Sequence, residues 1–227
     1  MKTNLETEKQ WVYQVLILVA GFYGGYTMQI RGGVFSNAQT GNIALMGLAL
    51  GNGNWQGALY YLFPLGAYIL GALVSEFQPT TLRKLRWSTA LILFEILMVA
   101  VMGFIPASAP HQICQIIICF ICAMQFNTFR GVHGVAQATT FVSNHVRQVG
   151  VAVAWLLGKQ KTKARALEHL WVHGSMVLCF LAGVTLAALT CRFMGVRAIW
   201  CNLLPLGALF AALLRGDLAN KELQMAQ

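Results

Sequence analysis

The chain has 227 residues, 57% of them hydrophobic and only 10% charged, with a mean hydropathy of +0.62. A soluble domain usually carries about 25% charged residues, so a water-soluble protein is excluded and lipid is expected to cover the outside. The formal charge of +9 lies mostly in short loops between apolar runs, which is a membrane-topology pattern, and no nucleic-acid partner is expected.

Residues 1–10 are polar and lead into an apolar stretch, Trp11–Ile30, that is too long for a signal-peptide core and lacks a cleavage site after it. It predicts an uncleaved first span. Crossing a hydrocarbon core of ~30 Å takes about 20 helical residues, and the other stretches near that length are Gln56–Glu76, Trp87–Ile105, Ile113–Phe129, Leu170–Thr190 and Val196–Leu214. Trp11, Trp55, Trp87, Trp171 and Trp200 stand at or near the starts of five of these six. Indole rings favour the water–lipid boundary, so this placement supports the spans independently of hydropathy.

Two polar, glycine-punctuated stretches interrupt the apolar pattern. The first runs from Gly32 to Asn42 and precedes the short apolar run Ile43–Leu50; the second runs from Gly131 to Asn144 and precedes Val149–Leu157. Each apolar run is too short to span alone. Both units are predicted to be irregular backbone held inside a membrane, each leading into a half-helix.

Arg83, Lys84 and Arg86 follow the second span, and Lys159, Lys161, Lys163 and Arg165 precede the fifth, so both loops are expected to be cytoplasmic. With neither short unit crossing, six spans put those loops and both chain ends on the cytoplasmic side. Arg192 and Arg197 then fall outside and count against the scheme. Aligning Thr40-Gly41-Asn42 with Val142-Ser143-Asn144 also brings Gly32 over Gly134, and Gly71 over Gly183 after a ten-residue basic insertion. The expected fold is therefore all-α, a polytopic membrane helix bundle in one domain over residues 1–227. Its halves, about 11–106 and 112–214, form a 3+3 inverted repeat with two re-entrant half-helical units.

Inverted repeats in secondary transporters place their sites at the repeat interface. The candidate binding set is Asn37, Gln39, Thr40, Gly41 and Asn42 from the first half, with Gln125, Asn127, Thr140, Ser143 and Asn144 from the second. Thr40 or Asn42 is expected to cap the helix that starts near Ile43, with Gly41 supplying a positive φ. That helix start would present N–H groups to an anion or polar solute. Glu95 is the one acid in the middle of a span and a candidate for proton coupling. Arg130 is expected to reach the inner surface, while Arg147 fits either a substrate contact or the surface. Pro64 and Pro205 are expected to kink their spans, and Gly21, Gly24, Gly25, Ala67 and Gly71 to let helices approach closely.

Six cysteines, including Cys119 and Cys122 in a C-x-x-C, lie in or beside apolar runs, as packed small hydrophobes do. His169 and His173 are one helical turn apart but lack a third ligand in sequence, so no metal and no cofactor are expected. No H-E-x-x-H, phosphate loop or nucleophile elbow is present, and the chain does not read as an enzyme.

Gly33-Val34-Phe35 through Gln39-Thr40-Gly41-Asn42, with Met124-Gln125 through Asn127 and Thr139-Thr140 later, resembles the YoaK family of small bacterial multi-pass membrane proteins. The resemblance covers essentially the whole chain. Ser143-Asn144 departs from the Thr-Gly usual there. The resemblance implies an integral protein of the bacterial cytoplasmic membrane with a transporter-like label and no named substrate. The expected partners are the lipid bilayer and a small-molecule solute, and a homo-oligomer is compatible with the pattern. The expected function is secondary transport of a small polar or anionic solute, and the alternative is a non-transporting membrane scaffold or assembly protein.

Overall fold

The structure, a computed structural model, describes residues 7, 9–77, 81–82, 85–132, 135–158 and 161–225; Arg83, Lys84, Gly134 and Lys159 from the sequence reading lie outside the described residues. The fold is helical. Its elements in chain order are α1 (Gln10–Ile30), α2 (Gln39–Gly51), α3 (Trp55–Glu76), α4 (Trp87–Met102), α5 (His111–Thr128), α6 (Ser143–Gly158), α7 (Lys163–Met194) and α8 (Leu203–Met225). Two small antiparallel hairpins, β1–β2 (Thr81–Leu82, Leu85–Arg86) and β3–β4 (Gly131–Val132, Val135–Ala136), join α3 to α4 and follow α5.

Local chemistry explains several boundaries. The Asn54 side chain accepts from the Gly57 amide at 2.9 Å and caps α3, filling one of the orphan donors of a first turn. Gly195 takes φ 54° just past α7, a backbone that stops a helix cheaply only at glycine. The predicted sixth span needs correction at its start. Residues Gly195–Asn202 form a 3-10 segment, and α8 begins only at Leu203. Pro205 then falls in the first turn of α8, where its missing N–H costs little, so the expected kink does not apply there. The basic residues Lys163 and Arg165 belong to α7 itself.

The helices pair in a regular way. α1 packs most extensively on α7, and α3 on α5, while α4 packs on α8, α2 on α3 and α6 on α7. Close approach in the two main pairs rests on glycine. A Cβ at Gly183 would run into the Leu18 carbonyl, one at Gly21 into that of Phe180, and one at Gly71 into that of Phe120. α1 is the hub: Val12, Leu16, Ile17, Val19, Ala20 and Tyr23 are all fully buried. By contrast α3 and α7 turn large apolar side chains outward, among them Leu62, Phe63, Ile69, Leu178, Leu181 and Phe193.

Among the described residues two helical stretches, Trp55–Glu76 and Lys163–Ala219, are long and apolar enough to cross a membrane, and α4 is a shorter apolar helix. Two ends of the bundle can be told apart by contact. Tyr13 near the start of α1 bonds to Gly131 after α5, Arg86 before α4 meets Asp217 late in α8, and Arg130 meets Glu76 at the end of α3. This end also carries Lys9, Lys161 and Arg165 around one cavity, and is called the basic end below. At the far end Gln115 bonds to Arg31 and Tyr60, and Trp200 bonds to Ala100.

Substituting Gly183 or Gly71 with valine is expected to cost about 1–3 kcal/mol through overpacking against backbone that cannot yield. Gly66→Ala, where an added Cβ meets open space, is expected to leave the unfolding midpoint in detergent unchanged or slightly raised.

Candidate functional site

After α1 ends at the far end, residues 31–38 turn back into the bundle. Arg31 and Gly33 both donate backbone N–H to the Thr27 carbonyl, at 3.2 and 3.1 Å. Gly32 and Gly33 take φ 83° and 72°, so the positive φ lies here and not at Gly41 as expected. The Thr27 hydroxyl donates to the Val34 carbonyl at 2.7 Å, tying the returning strand to α1. Asn37 thus comes to rest on Gly24, where a Cβ would sit 2.7 Å from its side-chain oxygen. Gly24 is six residues from the end of α1, or about 9 Å inside it at the helical rise.

α2 starts at Gln39, four residues earlier than the apolar run suggested, so Gln39, Thr40, Gly41 and Asn42 form its first turn. The N-cap is Ala38, with no side-chain cap, and this corrects the expected role of Thr40 or Asn42. Asn42 instead reaches back. Its oxygen accepts from the Phe35 amide at 3.0 Å and its nitrogen donates to the Phe35 carbonyl at 2.8 Å. Gln39 joins it, accepting from the Asn42 nitrogen and donating toward Cys119 Sγ at 3.5 Å. Gly41 faces the Phe35 ring, and Thr40 is exposed on the outer side of α2.

The second stretch mirrors this from the basic end. Gly131 takes φ 156°. The chain then runs through β3–β4 and returns so that the Gln125 side chain donates to the Thr139 carbonyl at 3.1 Å. α6 begins at Ser143, six residues before the apolar run, and so includes Ser143, Asn144, His145 and Arg147. Ser143 and Arg147 are exposed, and Arg147 donates to Asn144 at 2.9 Å. Asn127 bonds to Ser75 and Glu76 at the basic end, where Arg130 makes its ion pair with Glu76 at 2.9 Å, both largely exposed.

The two returning segments meet. Asn37 donates its side-chain N–H to the Thr140 carbonyl at 2.9 Å, both residues being buried. The Tyr68 hydroxyl faces the Thr140 side chain, and Ser36 lies against Cys119. One residue from Gly24, Tyr23 donates to Glu95 Oε1 at 2.8 Å, with both side chains fully buried. Several buried polar atoms here have no partner among the described residues: Asn37 Oδ1, Gln125 Oε1, Thr139 Oγ1 and Glu95 Oε2. Such atoms cost stability unless something polar meets them. Of the expected set the structure therefore gathers Asn37, Gln125 and Thr140 at one point, with Glu95 close by through Tyr23. Gln39 and Asn42 brace the first loop, and Asn144 and Asn127 line a cavity of about 380 Å³ between Phe126, Arg130 and Phe141.

Sequence reading did not pick out Tyr23, Thr27, Tyr68, Gln115 or Arg31. Each is a polar residue inside an apolar helix or at its edge, and that position was the available signal. Arg31 is fully buried and donates to the Tyr26 hydroxyl and to the Ile105 and Pro106 carbonyls at 2.7–3.0 Å. Near the basic end His145 bonds to the Ala138 carbonyl and, ring to ring, to His173 at 2.8 Å. His169 bonds to Gln148 and lies tilted against the Trp155 ring. Among the described residues no group of three His, Cys, Asp or Glu side chains could hold a metal ion.

Replacing Asn42 with leucine would strip both groups of Phe35 of their partner. Leaving buried polar groups unsatisfied costs about 1–3 kcal/mol. The expected result is faster hydrogen exchange at the Phe35 amide together with a lower unfolding midpoint, while Thr40→Ala, on the exposed side of α2, changes neither.

No curated protein and no solved structure matches the chain. Residues 12–212 match the family described as protein of unknown function, DUF1275. That match takes in nearly all of α1, every helix from α2 to α7, the first ten residues of α8, both returning loops and the Asn37–Thr140 contact. The chain belongs to the DUF1275 family.

Proposed function

We propose that the protein is a secondary transporter of a small polar or anionic solute in the bacterial cytoplasmic membrane, built as six spans and two re-entrant units in an inverted repeat. The observation that carries this reading is the meeting of two returning loops, from opposite ends of the bundle, at a point with unpartnered buried polar atoms. Non-helical backbone at membrane depth is tolerated only where protein or a water-filled cavity covers it, and transporter sites form at such interrupted helices.

Several features support the repeat. Asn42 and Asn144 are 102 positions apart, as are Leu18 and Phe120, and Tyr13 and Gln115. Gly183 packs on the Leu18 carbonyl and Gly71 on the Phe120 carbonyl. Tyr13 bonds to the segment after α5 and Gln115 to the segment after α1. Exchanging α1–α4 with α5–α8 therefore keeps the main pairs and runs α1 antiparallel to α5, as inversion requires. The apolar outward faces of α3 and α7 support lipid contact, and the excess of lysine and arginine at the basic end supports a cytoplasmic location for it. The resemblance to the YoaK family agrees with membership of DUF1275.

In this reading the halves rock about Asn37, Gln125 and Thr140. The smaller cavity brings solute from the cytoplasm to Asn127 and Asn144, and Glu95 with Tyr23 carries a coupling proton beside the loops. A second reading, a non-transporting scaffold, is favoured by the way Asn42, Gln39 and Asn37 are already hydrogen-bonded within the protein.

Topology is tested with single cysteines in a cysteine-free background. A thiol at Asn54 is expected to react with an impermeant maleimide added outside intact cells, and one at Lys161 only after permeabilisation. Labelling of both from one side would remove the six-span scheme. Function is tested by flux of a metabolite panel into proteoliposomes. Wild type is expected to move at least one polar or anionic solute, with about tenfold or greater loss in Asn37→Leu, since one buried hydrogen bond to a polar group is worth about that factor. Glu95→Gln is expected to fold normally and lose the pH dependence of flux. Transport by no panel member above empty liposomes would favour the scaffold.

A further inference from the structure

A larger cavity, about 710 Å³, opens at the basic end between the start of α1, α6 and the first turns of α7. It is separate from the meeting point of the two loops. Its walls are apolar and aromatic, from Trp11, Trp155 and Val172, with the His169 ring tilted against Trp155, centroids 4.8 Å apart. Among the described residues its rim carries Lys9, Lys161 and Arg165 against one acid, Glu168. Set into it is an unusual pair of amides. Gln137 donates to Gln10 at 2.7 Å, yet Gln10 Nε2 and Gln137 Oε1 are buried with no partner among the described residues. Gln137 is only 3% exposed. Swapping the oxygen and nitrogen of both amides would reverse the pair and still leave one free donor and one free acceptor.

Pockets of roughly 300–1,000 Å³ with apolar walls and a few convergent polar groups are the form that small-molecule sites take. We infer that this cavity binds an amphipathic organic anion, an apolar or aromatic body carrying one carboxylate or phosphate. The body lies between Trp11 and Trp155, the anionic head meets Lys161 and Arg165, and the free amide donor and acceptor of Gln10 and Gln137 orient it. The net positive rim selects an anion over a neutral or cationic molecule. The aromatic walls select an apolar body over a small hydrophilic ion such as phosphate. Gln137 also lines the smaller cavity that holds Asn127 and Asn144, so an occupant here shares a wall with the route proposed for the solute. The assignment does not depend on transport, because a scaffold would carry the same pocket.

Two sources offer this chemistry, a free carboxylate from the cytoplasm and an anionic phospholipid from the inner leaflet. Titration calorimetry of the purified full-length protein in neutral detergent, with 2-naphthoate as probe, tests the site. Saturable binding is expected, at least tenfold weaker for 2-naphthalenemethanol, which lacks the charge. Arg165→Gln, on an exposed side chain, and Gln137→Leu, checked for folding by circular dichroism and gel filtration, are each expected to weaken naphthoate about tenfold. Native mass spectrometry from nanodiscs of phosphatidylcholine with or without phosphatidylglycerol provides the second arm. Retained phosphatidylglycerol that naphthoate displaces, and that Arg165→Gln no longer retains, assigns the same site to lipid. If neither anion binds saturably, or if Arg165→Gln binds both as wild type does, the assignment is wrong.

Discussion

The structure depends on giving partners to main-chain groups that leave a helix while still inside an apolar bundle. A helix satisfies its own backbone; a segment that reverses within the bundle does not, and each exposed amide or carbonyl would cost several kcal/mol in a medium without water. Here side chains take over that task. Asn42 satisfies both groups of Phe35, Thr27 takes the Val34 carbonyl, Gln125 the Thr139 carbonyl and Asn37 the Thr140 carbonyl. The polar residues that look out of place in so apolar a chain are those that make its two reversals affordable. Asn37 does something more, because its partner belongs to the other reversal, so neither loop has its native surroundings without the other.

Most helices were legible because a hydrophobic run of spanning length has few readings. α1, α3 and α5 fall within two residues of expectation, and α4 starts as expected but stops three residues short. The half-helices were misjudged for a common reason. Hydropathy marks where apolar residues begin, but α2 and α6 begin earlier, in polar residues whose side chains bond to backbone. A window on Ile43 or Val149 cannot see a first turn made of Gln39 to Asn42 or Ser143 to Val146. The 3-10 segment after Gly195 was missed because its composition, Val196 to Trp200, matches that of a span. The two hairpins are two-residue pairings too short to leave a periodic signal.

The candidate site was legible as a list and not as an arrangement. Residues chosen because they share a polar stretch turned out to face different ways once that stretch became helical: Asn42 inward, Thr40 outward, Ser143 outward, with Asn37 and Thr140 at the centre. The partner of Glu95 could not be found at all without coordinates. Tyr23 is one of three tyrosines in α1, and only its hydrogen bond to Glu95 distinguishes it from Tyr13 and Tyr26. Glycine spacing was more informative. Gly21, Gly71 and Gly183 each mark a place where the backbones of two helices come close enough to exclude a methyl group.

Arg31 bears on how the chain's orientation is read. Its guanidinium is sunk beside the carboxyl ends of α1 and α4, on the Ile105 and Pro106 carbonyls and under the Tyr26 ring, where helix dipoles favour a cation. A charge engaged in that way is an internal fastener and offers little to lipid headgroups or to the membrane potential. Tallies that weigh every arginine alike therefore overstate the polarity of that end by one, and only Arg192 and Arg197 remain to oppose the bias set by the other face.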